Sequence, residues 1–121
     1  MTDPNFILLY VEDAARSAAF YQSLLGKAPA EASPTFAMFP LDSGVMLGLW
    51  GRGGVEPKAD QPGGSELAFA VADDATVSAR HKEWAAQGLT ILQEPQRMDF
   101  GFTFTAADPD GHRLRVFSPA M

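Results

Sequence analysis

There is no cysteine in this chain of 121 residues, so neither a disulfide nor thiolate chemistry is open to it. Basic residues are scarce: 9 Lys and Arg stand against 15 Asp and Glu, a formal charge of −6. That balance argues against sequence-independent nucleic-acid binding, which needs a basic face to displace counterions, and against attraction to anionic lipid. There are 2 histidines, His81 and His112. No apolar run approaches the roughly 20 residues of a membrane span. The opening MTDPNF has no basic region ahead of an apolar stretch, so the expected location is cytoplasmic, with no nucleic acid and no membrane among the partners.

Apolar residues make up 46% of the chain, enough for a packed core. The length predicts a single domain over residues 1–121. FILLYV at 6–11 is rich in strand formers, and a helical stretch follows between Asp13, placed as an N-cap, and Gly26, placed as a stop. Phe20 and Leu24, at i and i+4, are its expected inward residues. APAEA, TFAMF and GVMLGLW predict three short strands, the last two joined by an LDSG turn. GRGGVEPKADQPGGS at 51–65 is dense in Gly and Pro and reads as a loop.

The pattern then recurs. ELAFAV predicts a strand, and ADDATVSARHKEWAAQG a helix capped by Asp73 or Asp74, with Val77 and Trp84 inward and Gly88 at its end. LTILQEP, GFTFTA and RLRVFS predict three more strands. Val71 and Asp73 repeat the positions of Val11 and Asp13, and Gly88 that of Gly26. The order is βαβββ twice: repeat one at 5–52, a Gly/Pro-rich linker at 53–64, and repeat two at 65–119. This predicts an α+β fold with curled mixed sheets, not a doubly wound parallel sheet. The last strand follows DPDG, whose Pro109 and Gly111 suit a tight turn. It alternates Arg113 and Arg115 against Leu114 and Val116, which is a strand with one apolar face.

The doubled unit, with YVEDAARSAAFYQSLLG in its first half and DPDGHRLRVF in its last strand, resembles the vicinal oxygen chelate superfamily over nearly the whole chain. That superfamily includes glyoxalase I, extradiol dioxygenases and bleomycin-resistance proteins. MFPLDSGVMLGLWGRGGVEP, GGSELAFAV and GFTFTAADPDGHRLRV look closest to its phenazine-antibiotic-resistance branch, which sequesters a planar tricyclic drug. The resemblance implies half-barrel repeats around a cup-shaped site, and a homodimer.

Metal-dependent members carry one ligand on each of four strands. Those positions fall here on Phe6, Gly48, Glu66 and Arg115. Phenylalanine and glycine offer no side-chain ligand, and arginine stays protonated. One carboxylate does not make a site for a transition metal, and neither histidine falls on an aligned position. The implied protein has no cofactor and no catalytic residues. It binds a small planar aromatic compound, phenazine- or bleomycin-like, for antibiotic sequestration; the alternative is a divergent glyoxalase-type lyase or isomerase.

Period two extends the cup from the aligned positions. Leu8 and Tyr10 follow Phe6, Met46 and Trp50 follow Gly48, and Ala68 and Ala70 follow Glu66. Glu66 and Arg115 are expected to pair. Phe100, Phe102 and Phe104 fall on one face of the seventh strand by spacing, with Phe100 the one expected to reach a ligand. The ligand-binding set is then Phe6, Leu8, Tyr10, Gly48, Trp50, Glu66, Ala68, Phe100 and Arg115. Arg113 is expected at a solvated rim, Phe20, Tyr21 and Trp84 in the core, and parity leaves Phe36 and Phe39 undecided.

Overall fold

The computed structural model describes residues 5–56, 59 and 65–120, so most of the linker placed at 53–64 lies outside the described residues. The order is β1 (Phe6–Val11), α1 (Ala14–Leu25), β2 (Glu31–Ala32), β3 (Phe36–Pro40), β4 (Met46–Gly51), β5 (Glu66–Ala70), α2 (Asp74–Ala86), β6 (Thr90–Met98), β7 (Gly101–Ala107) and β8 (Arg113–Pro119). A single 3-10 turn, Arg52–Gly54, follows β4. The fold is α+β, built from two βαβββ modules, each with its own four-stranded mixed sheet. No helix among the described residues is long and apolar enough to cross a membrane.

The chain divides into two compact units between residues 61 and 62, within the linker. In the first, the sheet runs β1-β4-β3-β2, with β1 parallel to β4 and the rest antiparallel. Helix α1 packs on β3 and β4. Asp13 caps it by accepting from the Arg16 N–H at 3.1 Å, and Gly26 ends it at φ +70°. Its buried residues are Ala14, Ser17, Ala18 and Tyr21, not the expected Phe20 and Leu24, which are half-buried. Small side chains let the helix backbone approach the sheet, and Tyr21 alone supplies the bulk. Under it lie Val11, Ala37, Phe39, Leu47 and Leu49, all buried.

The second unit repeats the order as β5-β8-β7-β6, with β5 parallel to β8. Helix α2 packs on β6, β7 and β8. Asp73 caps it through the Thr76 N–H at 2.8 Å and hydroxyl at 2.6 Å, and these bonds to the ionised form hold its carboxyl below the ordinary aspartate value. Trp84 meets Phe104 and Phe69 edge-on, with ring centroids 5.3 and 5.7 Å apart. Val77, Leu114 and Val116 complete this core.

The DPDG turn is held by its first residue. Asp108 Oδ1 accepts from the N–H groups of Asp110 and His112 at 2.9 and 2.8 Å, and Oδ2 lies 2.9 Å from His112 Nδ1. Asp108 therefore fixes the turn that launches β8 and holds the His112 ring against it.

Phe102 and Phe104 share a face as expected, but Phe100 departs from it. β7 begins at Gly101, with φ +147°, which breaks the alternation. Phe104 lies under α2, whereas Phe100 packs edge-on against Phe117, with centroids 5.9 Å apart. A Cβ at Gly101 would collide with the Ser118 carbonyl oxygen. Gly101→Ala must therefore shift a backbone strand as well as adopt a strained φ, and we expect it to cost about 2–3 kcal/mol in a denaturant titration.

Candidate functional site

Each sheet has one helix and so one covered face. The sites of interest are the two helix-free faces, each described within its own unit.

In the first unit, register places Leu8 beside Gly48 and Tyr10 beside Trp50 across the β1–β4 pair, and Phe36 opposite Trp50 across β3–β4. These side chains stand on the face away from α1. Phe6, Leu8, Phe36 and Trp50 line an open apolar pocket of about 390 Å³. That volume suits a small organic guest. Phe6 and Leu8 remain 42% and 44% exposed although both are large and apolar, and Tyr10 meets Trp50 edge-on with centroids 6.4 Å apart. Gly48 makes the floor. A Cβ there would stand 2.6 Å from Leu8 Cδ2, 2.8 Å from Phe6 Cε1 and 3.4 Å from Phe36 Cε1, so the missing side chain is what lets these groups settle over the strand.

Phe36 resolves the parity left open by sequence: it lines the pocket, while Phe39 is fully buried on the opposite face. The usable signal was the LDSG turn. It sets Pro40 opposite Met46, from which Phe36 falls opposite Trp50.

In the second unit, the helix-free face is polar at its centre. Arg115 Nε donates to Glu66 Oε1 at 2.6 Å, so the expected pair is formed. The Arg115 guanidinium also donates from one Nη to Gln93 Oε1 and to Thr103 Oγ1, each at 3.1 Å. Thr103 in turn donates to the Val116 carbonyl at 2.8 Å, and Thr105 donates to Gln93 Oε1 at 3.0 Å. The guanidinium lies 5.5 Å from the centre of the Phe100 ring, a cation–π distance. Ala68 stands beside Arg115 across the β5–β8 pair and is exposed. Arg113 is exposed, farther toward the turn.

Gln93 is a residue that sequence reasoning missed. It sits between two register shifts in the β6–β7 ladder, which break the alternation on either side of it. Pro95, which cannot donate to a ladder, was the available sign of that irregularity.

The residues aligned with metal ligands do not fit a divalent ion. Phe6 and Gly48 present carbon only, and Glu66 has its Oε1 engaged by a permanent cation. Among the described residues, no three of His, Asp and Glu are gathered around a common centre. His81 is committed elsewhere, 2.8 Å from Glu94 and edge-on to Phe104.

The Glu66 side chain is 34% exposed and that of Arg115 16%, so the pair is only partly desolvated. Complete burial would make Arg115→Ala cost about 3–5 kcal/mol. With water reaching Glu66, the expected cost falls to about 2 kcal/mol, from the side-chain hydrogen bonds Arg115 makes to Glu66, Gln93 and Thr103. Glu66→Gln keeps an acceptor for Arg115 and should cost less than about 1 kcal/mol. Urea denaturation of both variants checks the order.

Residues 4–116 match the Glyoxalase/Bleomycin resistance protein/Dioxygenase superfamily. The chain is 34% identical over 116 residues to the phenazine antibiotic resistance protein EhpR of Enterobacter agglomerans, covering 93% of this chain and 89% of that protein. A protein of Agrobacterium tumefaciens solved in solution by NMR is 53% identical, with a TM-score of 0.91 and 100% of both chains covered. A glyoxalase-related enzyme from Fulvimarina pelagi, 25% identical, superposes with a TM-score of 0.85 over 98% of this chain and 88% of its own. On residues 4–116 and on the doubled βαβββ architecture, this chain belongs to the glyoxalase/bleomycin resistance/dioxygenase superfamily.

Proposed function

We propose that the chain is a binding protein for a small planar aromatic compound, acting by sequestration in antibiotic resistance without a metal and without catalysis. The observation that carries this reading is the pocket of Phe6, Leu8, Phe36 and Trp50 over Gly48: an uncovered apolar face with ring walls where metal-dependent relatives need donors. Likeness to a phenazine antibiotic resistance protein supports the same class of guest.

The magnitudes suffice. A guest of about 20 heavy atoms at roughly 0.3 kcal/mol per atom gains about 6 kcal/mol, a Kd of tens of micromolar. Stacking on one or two rings adds about 0.5–1.5 kcal/mol each.

Trp50 is half-buried at the end of β4, so Trp50→Ala should leave the fold intact and weaken phenazine by about 1–2 kcal/mol in a calorimetric titration. A parent that binds neither phenazine nor any other planar tricycle, or a Trp50→Ala variant as tight as the parent, contradicts the reading.

We also propose that the protein is a homodimer. Among the described residues β1 is paired on one side only, and it leaves Ile7 exposed as well as Phe6, Leu8 and Tyr10. An unpaired apolar edge strand calls for a cover. Light scattering at micromolar concentration should give twice the 13.0 kDa chain mass, and a monomer refutes the proposal.

A further inference from the structure

The Glu66–Arg115 pair is joined by one hydrogen bond where its chemistry allows two. A guanidinium and a carboxylate match as parallel forks, with two N–H···O bonds side by side. Here Nε alone reaches Oε1, at 2.6 Å. The far end of the guanidinium is held elsewhere, because Nη1 donates to Gln93 Oε1 and to Thr103 Oγ1. Both acceptors are themselves fixed. Thr103 is fully buried and donates to the Val116 carbonyl, and the Thr105 hydroxyl donates to the same Gln93 oxygen. The guanidinium is therefore anchored in an orientation that leaves Arg115 Nη2 and Glu66 Oε2 with no hydrogen-bond partner among the described residues. Neither atom is enclosed, since both side chains are partly exposed.

A free donor beside a free acceptor selects the reverse pair in a guest. Nε and Nη2 share one edge of the planar guanidinium, so Nη2 stands next to the nitrogen that holds Glu66. The pair has no net charge. An anion drawn to Arg115 meets Glu66, and a cation drawn to Glu66 meets Arg115. A neutral amide, with a carbonyl oxygen and an N–H on neighbouring atoms, meets neither repulsion. There is room for it, because the residue beside Arg115 across the β5–β8 pair is Ala68 and the next on that face is Ala70, both exposed. A ring surface adjoins the polar edge: the guanidinium lies over Phe100, which is exposed and packs edge-on against Phe117.

We propose that Glu66 and Arg115 form a binding site for aromatic carboxamides and lactams. Arg115 Nη2 donates to the carbonyl oxygen of the guest, Glu66 Oε2 accepts from its N–H, and Phe100 carries its ring. The site is built from the second unit alone and asks nothing of the pocket over Gly48.

The test titrates the whole chain with three probes, benzamide, N,N-dimethylbenzamide and benzoate, followed by NMR. Benzamide should bind with a Kd on the order of a millimolar, as befits so small a guest, and should move the Arg115 Nε–H resonance. N,N-dimethylbenzamide lacks the N–H, and benzoate puts a charge beside Glu66. Each should bind at least about fivefold more weakly, the equivalent of one neutral hydrogen bond. Glu66→Gln is the informative variant. It keeps an oxygen for Arg115 Nε but puts an NH2 group where Oε2 was. It should melt like the parent and reverse the order, with benzoate now bound more tightly than benzamide; a merely structural role for Glu66 would keep the parental order. The inference is overturned by a parent that does not bind benzamide or binds it no better than N,N-dimethylbenzamide. It is equally overturned by an Arg115 resonance that stays still at saturation, or by a Glu66→Gln variant that keeps the parental order.

Discussion

One helix can cover only one face of a four-stranded sheet, and in each unit of this protein that single cover sets everything else. Strand alternation sends half of the side chains beneath α1 or α2, where Tyr21 and Trp84 close the cores. The remaining half must be accounted for in another way. In the first unit they are Phe6, Leu8, Phe36 and Trp50, groups that gain nothing from water. In the second they are tied into a hydrogen-bonded network centred on Arg115. One face is left apolar and exposed and the other polar and hydrogen-bonded, and neither draws on the residues of the cores.

The same constraint bears on the four positions aligned with the metal ligands of relatives. The aligned positions lie on the helix-free faces, where a substitution does not disturb the packing under the helices. The ring of Phe6 and the absent side chain of Gly48 make one face an apolar slot. On the other, Glu66 and Arg115 form a pair whose charges satisfy each other. Neither change asks anything of Val11, Leu49, Val77 or Val116 in the cores.

How much was legible in the sequence depends on how far the alternation runs unbroken. β1, β4, β5 and β8 are regular, so Leu8, Tyr10 and Trp50 could be placed from Phe6 and Gly48, and Arg115 could be set beside Glu66. Phe36 could not be assigned until the hairpin register was known. Phe100 was misplaced because Gly101 turns the chain out of the period-two pattern. Gln93 was invisible because the register shifts on either side of it leave no trace in residue type beyond Pro95. Helix α1 was misread for a different reason: its buried face is Ala14, Ser17 and Ala18, and small residues carry no hydrophobic signal for periodicity to detect.

The central claim is that the ring-lined slot over Gly48 is where the guest sits. The most direct measurement is a set of intermolecular NMR cross-relaxation contacts between phenazine ring protons and the protein's assigned side chains. Contacts to Phe6, Leu8, Phe36 and Trp50 are the predicted result. Contacts confined to the outward surfaces of α1 and α2, or none at a concentration where phenazine is bound, would contradict the account.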